Sequence, residues 1–337
     1  MIAGIIWAIL AGIMLGLYAL PEKFTKDFQF ENTWGLMFTI NMIVVPLIAG
    51  FLLINDFGEV LSSLSSDVLL KMAVSSILWG IGVMMWGKAI NYIGLSLGFS
   101  IFIGTVILVG SLLPFIVDGL PPNNVFITIL AGIVVVLLGV IANGKAGITR
   151  QKDEANNATA VQSGSMGTGI LIAVVGGLLA TGFSYANAAG RPAIHEACQA
   201  MGNPEWVTAV GVMFIIYVSG AIFVVPYFVY QLSTKKLWSN FSTPHIGKNV
   251  SMTTVMAILN FAASAAFAFA AFKLGKAGNT VGYAIFNTIS VAVAILSGLI
   301  TGEWANASPK AKRFLYLGLG AMIVGVIIIA LGNGMAM

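Results

Sequence analysis

The chain of 337 residues is 58% hydrophobic and 8% charged, a composition that excludes an ordinary water-soluble domain. About 20 mainly apolar residues cross the hydrocarbon core as a helix, so this length accommodates roughly ten spans. Sixteen basic and 12 acidic residues give a net charge of +4, an excess that cytoplasmic loops absorb without a nucleic-acid partner. The single cysteine, Cys198, excludes an intrachain disulfide.

Ten apolar segments follow one another at 2–20, 33–54, 68–90, 96–117, 124–143, 167–188, 206–231, 250–272, 280–301 and 313–332. They lack the period-two alternation of barrel strands, and in lipid a helix satisfies its own backbone groups, so the expected fold is an all-α membrane protein of ten transmembrane helices. The first segment has no basic stretch before it and runs into Pro21-Glu22-Lys23, which reads as a first span rather than a signal peptide. Connectors are short except for a polar stretch at 144–166. It divides the chain into a first five-helix unit, 1–143, a polar cytoplasmic linker, and a second five-helix unit, 167–337.

The halves echo each other. Val44-Val45-Pro46 recurs as Val224-Val225-Pro226, and Gly35-Leu36-Met37-Phe38 as Gly211-Val212-Met213-Phe214. At one offset Gly94, Ser96, Gly98, Phe99, Ile101 and Phe102 face Gly278, Thr280, Gly282, Tyr283, Ile285 and Phe286. The matches fall in the same order in both halves, as internal repeats of a transporter would. An odd number of helices per repeat inserts the second copy from the opposite side, so the repeats are expected to be inverted. Twelve of the 16 basic residues lie in loops after helices one, three, five, seven and nine, which puts both termini on the outer face.

The 12 carboxylates sit in loops or at span ends, Glu22, Glu31, Asp56, Asp118, Glu196 and Glu303 among them. A carboxylate at membrane depth usually marks an ion path; without one, a cation exchanger built on a buried acid is disfavoured. His195-Glu196-Ala197-Cys198-Gln199 opens like a zinc-protease motif but lacks the second histidine, so the pattern points to no metal, no cofactor and no enzyme.

What the spans do hold is neutral. Tyr18, Asn41, Trp79, Trp86, Ser184, Asn187, Tyr217, Tyr283 and Asn287 fall inside apolar segments, with Trp7, Ser219, Asn260, Ser264 and Thr288 beside them. Amides and phenols supply the donors and acceptors that sugar hydroxyls need, and an aromatic ring takes the CH-rich face. We therefore read Trp79, Trp86, Asn41, Asn187 and Asn287 as substrate ligands for a neutral sugar, with Tyr18, Ser184, Tyr217 and Tyr283 as further contacts. Packing and interhelical hydrogen bonding account for the same residue types equally well. Trp34, Trp206, Trp238 and Trp304 lie near span ends and are expected as interfacial anchors. Gly94 with Gly98, and Gly278 with Gly282, have the spacing of close helix contacts. Pro46 and Pro226 are expected to kink helices two and seven. The stretch from Asn187 to Glu196 is expected as a loop, where His195 and Glu196 would form a proton-coupling pair.

Several of these pieces together resemble the bacterial L-rhamnose-proton symporter family of the drug/metabolite transporter superfamily. They are Pro21-Glu22-Lys23, Phe30-Glu31-Asn32-Thr33-Trp34, Trp79-Gly80-Ile81-Gly82, Tyr92-Ile93-Gly94-Leu95-Ser96-Leu97-Gly98, Asn187-Ala188-Ala189, His195-Glu196 and Glu303-Trp304. The resemblance runs the full length. It implies a two-repeat, ten-helix carrier of the bacterial inner membrane that imports a deoxy sugar, most simply L-rhamnose, with protons as coupling ion, by alternating access. An exporter or facilitator of amino acids or other metabolites, and a membrane sensor that binds without transport, stay open on the residues alone.

Overall fold

The computed structural model describes residues 2–117, 120–155, 166–275, 278, 281–302 and 304–335. Among them every regular element is helical: α1 (Ile2–Leu17), α2 (Phe30–Thr39), α3 (Val45–Leu53), α4 (Phe57–Ser62), α5 (Ser66–Val117), α6 (Asn123–Ala155), α7 (Met166–Ala180), α8 (Gly182–Ala200), α9 (Val207–Thr234), α10 (Ile246–Leu274), α11 (Val281–Ile300) and α12 (Pro309–Gly334). Nine helical stretches among the described residues are long and apolar enough to cross a membrane. The shorter apolar stretch Ile101–Gly110 lies within the segment expected at 96–117.

Three boundaries differ from expectation, each for a physical reason. Segments 68–90 and 96–117 join in the single helix α5, because the residues between them contain no proline and Gly94 alone does not stop a helix. The polar stretch expected from 144 begins as helix, α6 running on to Ala155, since Lys, Arg, Gln, Glu and Ala favour that conformation; residues 156–165 of the linker lie outside the described residues. The expected loop from Asn187 to Glu196 is instead part of α8, with Pro192 inside the helix. Leaving the helix within lipid would strand several backbone groups, whereas one proline interrupts only its local ladder.

The described residues form two compact units, one within 2–81 and 182–273, the other within 82–181 and 274–335. In the first unit α9 is the central helix, burying Gly211, Tyr217, Gly220 and Val224 among others. α1 buries Gly4, Ala8, Ala11, Gly12 and Gly16 and exposes Ile2, Ile6 and Leu10. This is the membrane pattern, small residues toward helices and large apolar ones toward lipid. α5 meets α8 so closely that a Cβ on Gly182 would stand 2.2 Å from the Ser75 carbonyl oxygen, and one on Gly190 2.1 Å from Met72 Sδ. α5 also meets α9, where a Cβ on Gly220 would lie 3.0 Å from the Trp79 ring.

The two repeated prolines differ in setting. A π-turn, Ile40–Val44, precedes Pro46, and Val45 N–H donates to the Ile40 carbonyl. Pro226 sits inside the uninterrupted helix α9. The wider turn accommodates the missing donor of Pro46 and rotates Asn41 relative to a regular helix.

In the second unit α6 and α12 are zipped by glycine. Gly132 and Gly139 on α6 meet Gly325 and Gly318 on α12, where an added Cβ would come within 2.7 to 2.8 Å of a facing backbone oxygen. The seven-residue spacing keeps these glycines on one seam of each helix. Gly82 and Gly176 cross equally closely, a Cβ on Gly82 standing 2.5 Å from the Gly176 oxygen. Gly282 packs on Leu274, whereas Thr280 of the repeat match lies outside the described residues, as do the surroundings of Gly94, Ser96 and Phe99.

Candidate functional site

The first unit gathers a polar cluster where three helical stretches converge. Tyr217 on α9 is buried, and its hydroxyl donates to Asn260 Oδ1 at 2.8 Å and meets Ser264 Oγ at 2.6 Å. Asn260 and Ser264 stand four residues apart on α10 and therefore on one face. Asn41, in the π-turn, donates its Nδ2 to the same Asn260 Oδ1 at 2.9 Å. Its own Oδ1 is buried without a hydrogen-bond partner among the described residues. One α10 amide oxygen thus takes a donor from each of two neighbouring elements and leaves an acceptor on Asn41 to spare.

An aromatic wall stands against this cluster. The half-buried Trp79 ring lies 5.3 Å from the Tyr217 ring and 5.5 Å from the Phe183 ring, and Phe261 meets Tyr217 edge-on at 5.3 Å. Gly220 lets the indole lie directly on α9. Helical period places Asn187 on the stripe of Phe183 and Gly190, and Ser76 on that of Met72 and Trp79. Phe183 touches Trp79 and Gly190 touches Met72, so Asn187 and Ser76 fall at the middle of the same α5–α8 seam. Both are fully buried, and neither the Asn187 amide nor Ser76 Oγ has a partner among the described residues. A buried polar group left so costs about 1–3 kcal/mol, which marks these positions as ones where stability yields to another requirement. Ser184, one turn before Asn187, is buried as well.

The expected site residues therefore divide. Asn41, Trp79, Ser184, Asn187 and Tyr217 belong to the first unit, as does Tyr18, whose ring meets Trp34 edge-on at 5.8 Å. Trp86, Tyr283 and Asn287 belong to the second. There Trp86 packs on Phe102 at 5.9 Å, a Cβ on Gly110 would press on the Tyr283 ring at 2.5 Å, and Asn287 Nδ2 donates to the Tyr283 carbonyl one turn back at 2.9 Å.

His195 and Glu196 do not form a pair. Successive residues of a helix point about 100° apart. His195 Nδ1 lies 3.0 Å from Thr208 Oγ1, its ring 4.8 Å from that of Phe272, while Glu196 is exposed. Of the four tryptophans expected as anchors, Trp206 and Trp238 are exposed, but Trp34 and Trp304 are buried. Trp34 Nε1 donates to Glu22 Oε1 at 2.7 Å, and Trp304 lies 5.0 Å below the Arg150 guanidinium.

Ser76 escaped the sequence reading because a lone serine in an apolar helix carries no signal of its own. Asn260 with Ser264 did carry one, two polar residues at helical spacing in an alanine-rich span. The ion pairs among the described residues, Lys71 with Asp67, Lys235 with Glu31 and Lys273 with Glu205, lie away from the cluster. The cluster is thus uncharged, its donors and acceptors are amides and hydroxyls, and an indole lines it: chemistry suited to a neutral polyol. Among the described residues no three His, Cys, Asp or Glu side chains come together as a metal site would need.

Comparison with known proteins covers the whole chain. The profile of the family described as L-rhamnose-proton symport protein matches residues 1–337. L-rhamnose-proton symporters of Yersinia pestis (strain Pestoides F) and Yersinia pseudotuberculosis serotype O:1b (strain IP 31758) are each 26% identical to it over 341 residues, covering 98% of both chains. That of Yersinia pestis bv. Antiqua (strain Antiqua) is 26% identical over 340 residues.

Proposed function

Because this chain belongs to the L-rhamnose-proton symport protein family, we propose that it carries L-rhamnose or a related deoxy sugar across the bacterial inner membrane together with a proton. The observation that carries the substrate class is the uncharged cluster of Asn41, Asn260, Tyr217 and Ser264 beside Trp79, with the buried Asn187 amide and Ser76 hydroxyl left without a partner among the described residues. In this reading Trp79 takes the apolar face of the sugar ring, Asn41 and Asn187 bond its hydroxyls, and Ser184 and Tyr217 position them. Trp86, Tyr283, Asn287 and Tyr18 contact the sugar at another stage of the transport cycle.

The carrier works by alternating access, through two oppositely inserted five-span repeats, residues 1–143 and 167–337, with both termini on the outer face. In support, each compact unit takes segments from both halves of the sequence. Proteoliposomes given labelled L-rhamnose and an inwardly directed proton gradient test the function. Accumulation above the outside concentration, abolished by a protonophore, is expected. Absence of uptake would remove the sugar, and uptake indifferent to the gradient would remove the symport.

A further inference from the structure

A proton symporter needs a group that gains a proton on one face of the membrane, loses it on the other, and is felt by the sugar site while it holds it. Most carboxylates among the described residues are poorly placed for this. Glu31 and Glu205 are each paired with a lysine, Lys235 and Lys273. Asp56, Asp67 and Glu196 are exposed and have no packed interior group to act on.

Glu22 differs from all of these. It is half-buried on the 3-10 turn Leu20–Phe24 that follows α1, and it belongs to none of the ion pairs among the described residues. Its partner is the buried indole of Trp34, whose Nε1 donates to Oε1 at 2.7 Å. The phenol of Tyr18, in the turn just after α1, lies within electrostatic reach; Lys23, next on the same turn as Glu22, is exposed, and Glu31 pairs with Lys235. The hydrogen-bond donor to this carboxylate is thus a neutral indole rather than a cation.

We propose that Glu22 is the protonation site through which this chain couples the proton to the sugar, a proposal that rests on the symport reading above. The link to the site runs through packed rings. Trp34 meets Tyr18 edge-on at 5.8 Å and Phe38 at 5.9 Å, and Phe38 stacks on Phe228 of α9 at 5.6 Å. Asn41 follows Trp34 by seven residues, about 10 Å along the helix, and Tyr18 is within electrostatic reach of Tyr217. When the carboxylate takes a proton from water it forms an O–H bond and loses the charge that strengthens the Trp34 hydrogen bond. The indole is released, and the rings on α2, on α9 and in the turn after α1 shift the elements that hold Asn41 and Tyr217. With the carrier open to the cytoplasm, the O–H bond breaks, the proton returns to water there and the indole is recaptured.

Glu22→Gln in proteoliposomes tests this, because glutamine keeps the shape of the protonated acid and cannot release a proton. Gradient-driven accumulation of labelled L-rhamnose should fall at least about tenfold, while counterflow exchange of labelled for unlabelled sugar, which needs no net proton movement, persists. Trp34→Phe keeps the ring but removes the donor, and should displace the pH dependence of uptake while leaving exchange intact. Glu22→Asp should restore part of the accumulation. Accumulation undiminished in Glu22→Gln overturns the proposal, and so does loss of exchange and accumulation together, which would make Glu22 a structural residue. Failure of the unsubstituted protein to take up L-rhamnose at all would instead count against the symport reading.

Discussion

Replacing Tyr217 by phenylalanine removes one oxygen from the centre of the polar cluster and leaves the ring packing in place. That oxygen bonds two side chains on α10, donating to Asn260 Oδ1 at 2.8 Å and meeting Ser264 Oγ at 2.6 Å. The two losses are unequal. Asn260 Oδ1 keeps the donor from Asn41 at 2.9 Å, so its share is at the low end of the net value of a hydrogen bond, about 0.5 kcal/mol. Ser264 is 3% exposed, so its hydroxyl is left in an apolar surrounding and costs about 1 kcal/mol more. The expected destabilisation is about 1.5 kcal/mol, near the upper end for interhelical hydrogen bonds in membrane proteins and about a twelvefold change in the unfolding equilibrium. Reversible unfolding in mixed detergent micelles measures it, and Ser264→Ala completes a double-mutant cycle. With the hydroxyl of residue 264 gone there is no orphan, so the double variant should cost about 1 kcal/mol less than the sum of the single ones. Strict additivity, or a Tyr217→Phe variant as stable as the parent, would refute the network.

Asn187→Leu should leave stability unchanged or raise it by about 1 kcal/mol, because an apolar side chain of similar size replaces an amide with no partner among the described residues. The same variant should lose most L-rhamnose uptake, and a destabilised but active Asn187→Leu would reverse the assignment. Gly182→Ala should cost about 3 kcal/mol in the same unfolding assay, since its Cβ would stand 2.2 Å from a backbone oxygen of α5 that cannot move alone. Gly58→Ala, in α4 with nothing within 4 Å of the added carbon, should instead stabilise by about 0.5 kcal/mol through helix propensity. Gly325→Leu should open the α6–α12 seam, where even a Cβ falls 2.8 Å from the Gly132 oxygen, and should cost about 3 kcal/mol in the same unfolding assay.

Composition and hydropathy determined that this chain lives in lipid as helices, because backbone groups there have no alternative partner; most span starts fell within a few residues of the apolar segments, but hydropathy did not show that 68–90 and 96–117 join in one helix or that the sixth segment runs on to Ala200. The neutral, aromatic character of the interior was equally legible: with no carboxylate in any apolar segment, amides and phenols are what remains to recognise a solute. What sequence could not decide is which of those polar groups meet. Asn41, Tyr217, Asn260 and Ser264 are separated by up to 223 positions yet share one hydrogen-bonded cluster, while Asn287 turns back to its own helix. The partner of a buried amide is set by how helices cross, and the crossings depend on glycines such as Gly182 and Gly220 whose close approaches exist only in three dimensions.

The same limit explains the misread stretch at His195 and Glu196. Adjacency in sequence suggested a pair, but a helix turns neighbours away from each other, one toward Thr208 and the other to the surface. Trp34 and Glu22 show the converse. A tryptophan and an acid near span ends read as interfacial residues until packing buries the indole and aims its N–H at the carboxylate. Partition into lipid is additive over residues and can be summed along a chain, whereas a directed hydrogen bond depends on distance and angle between side chains that only the fold brings together.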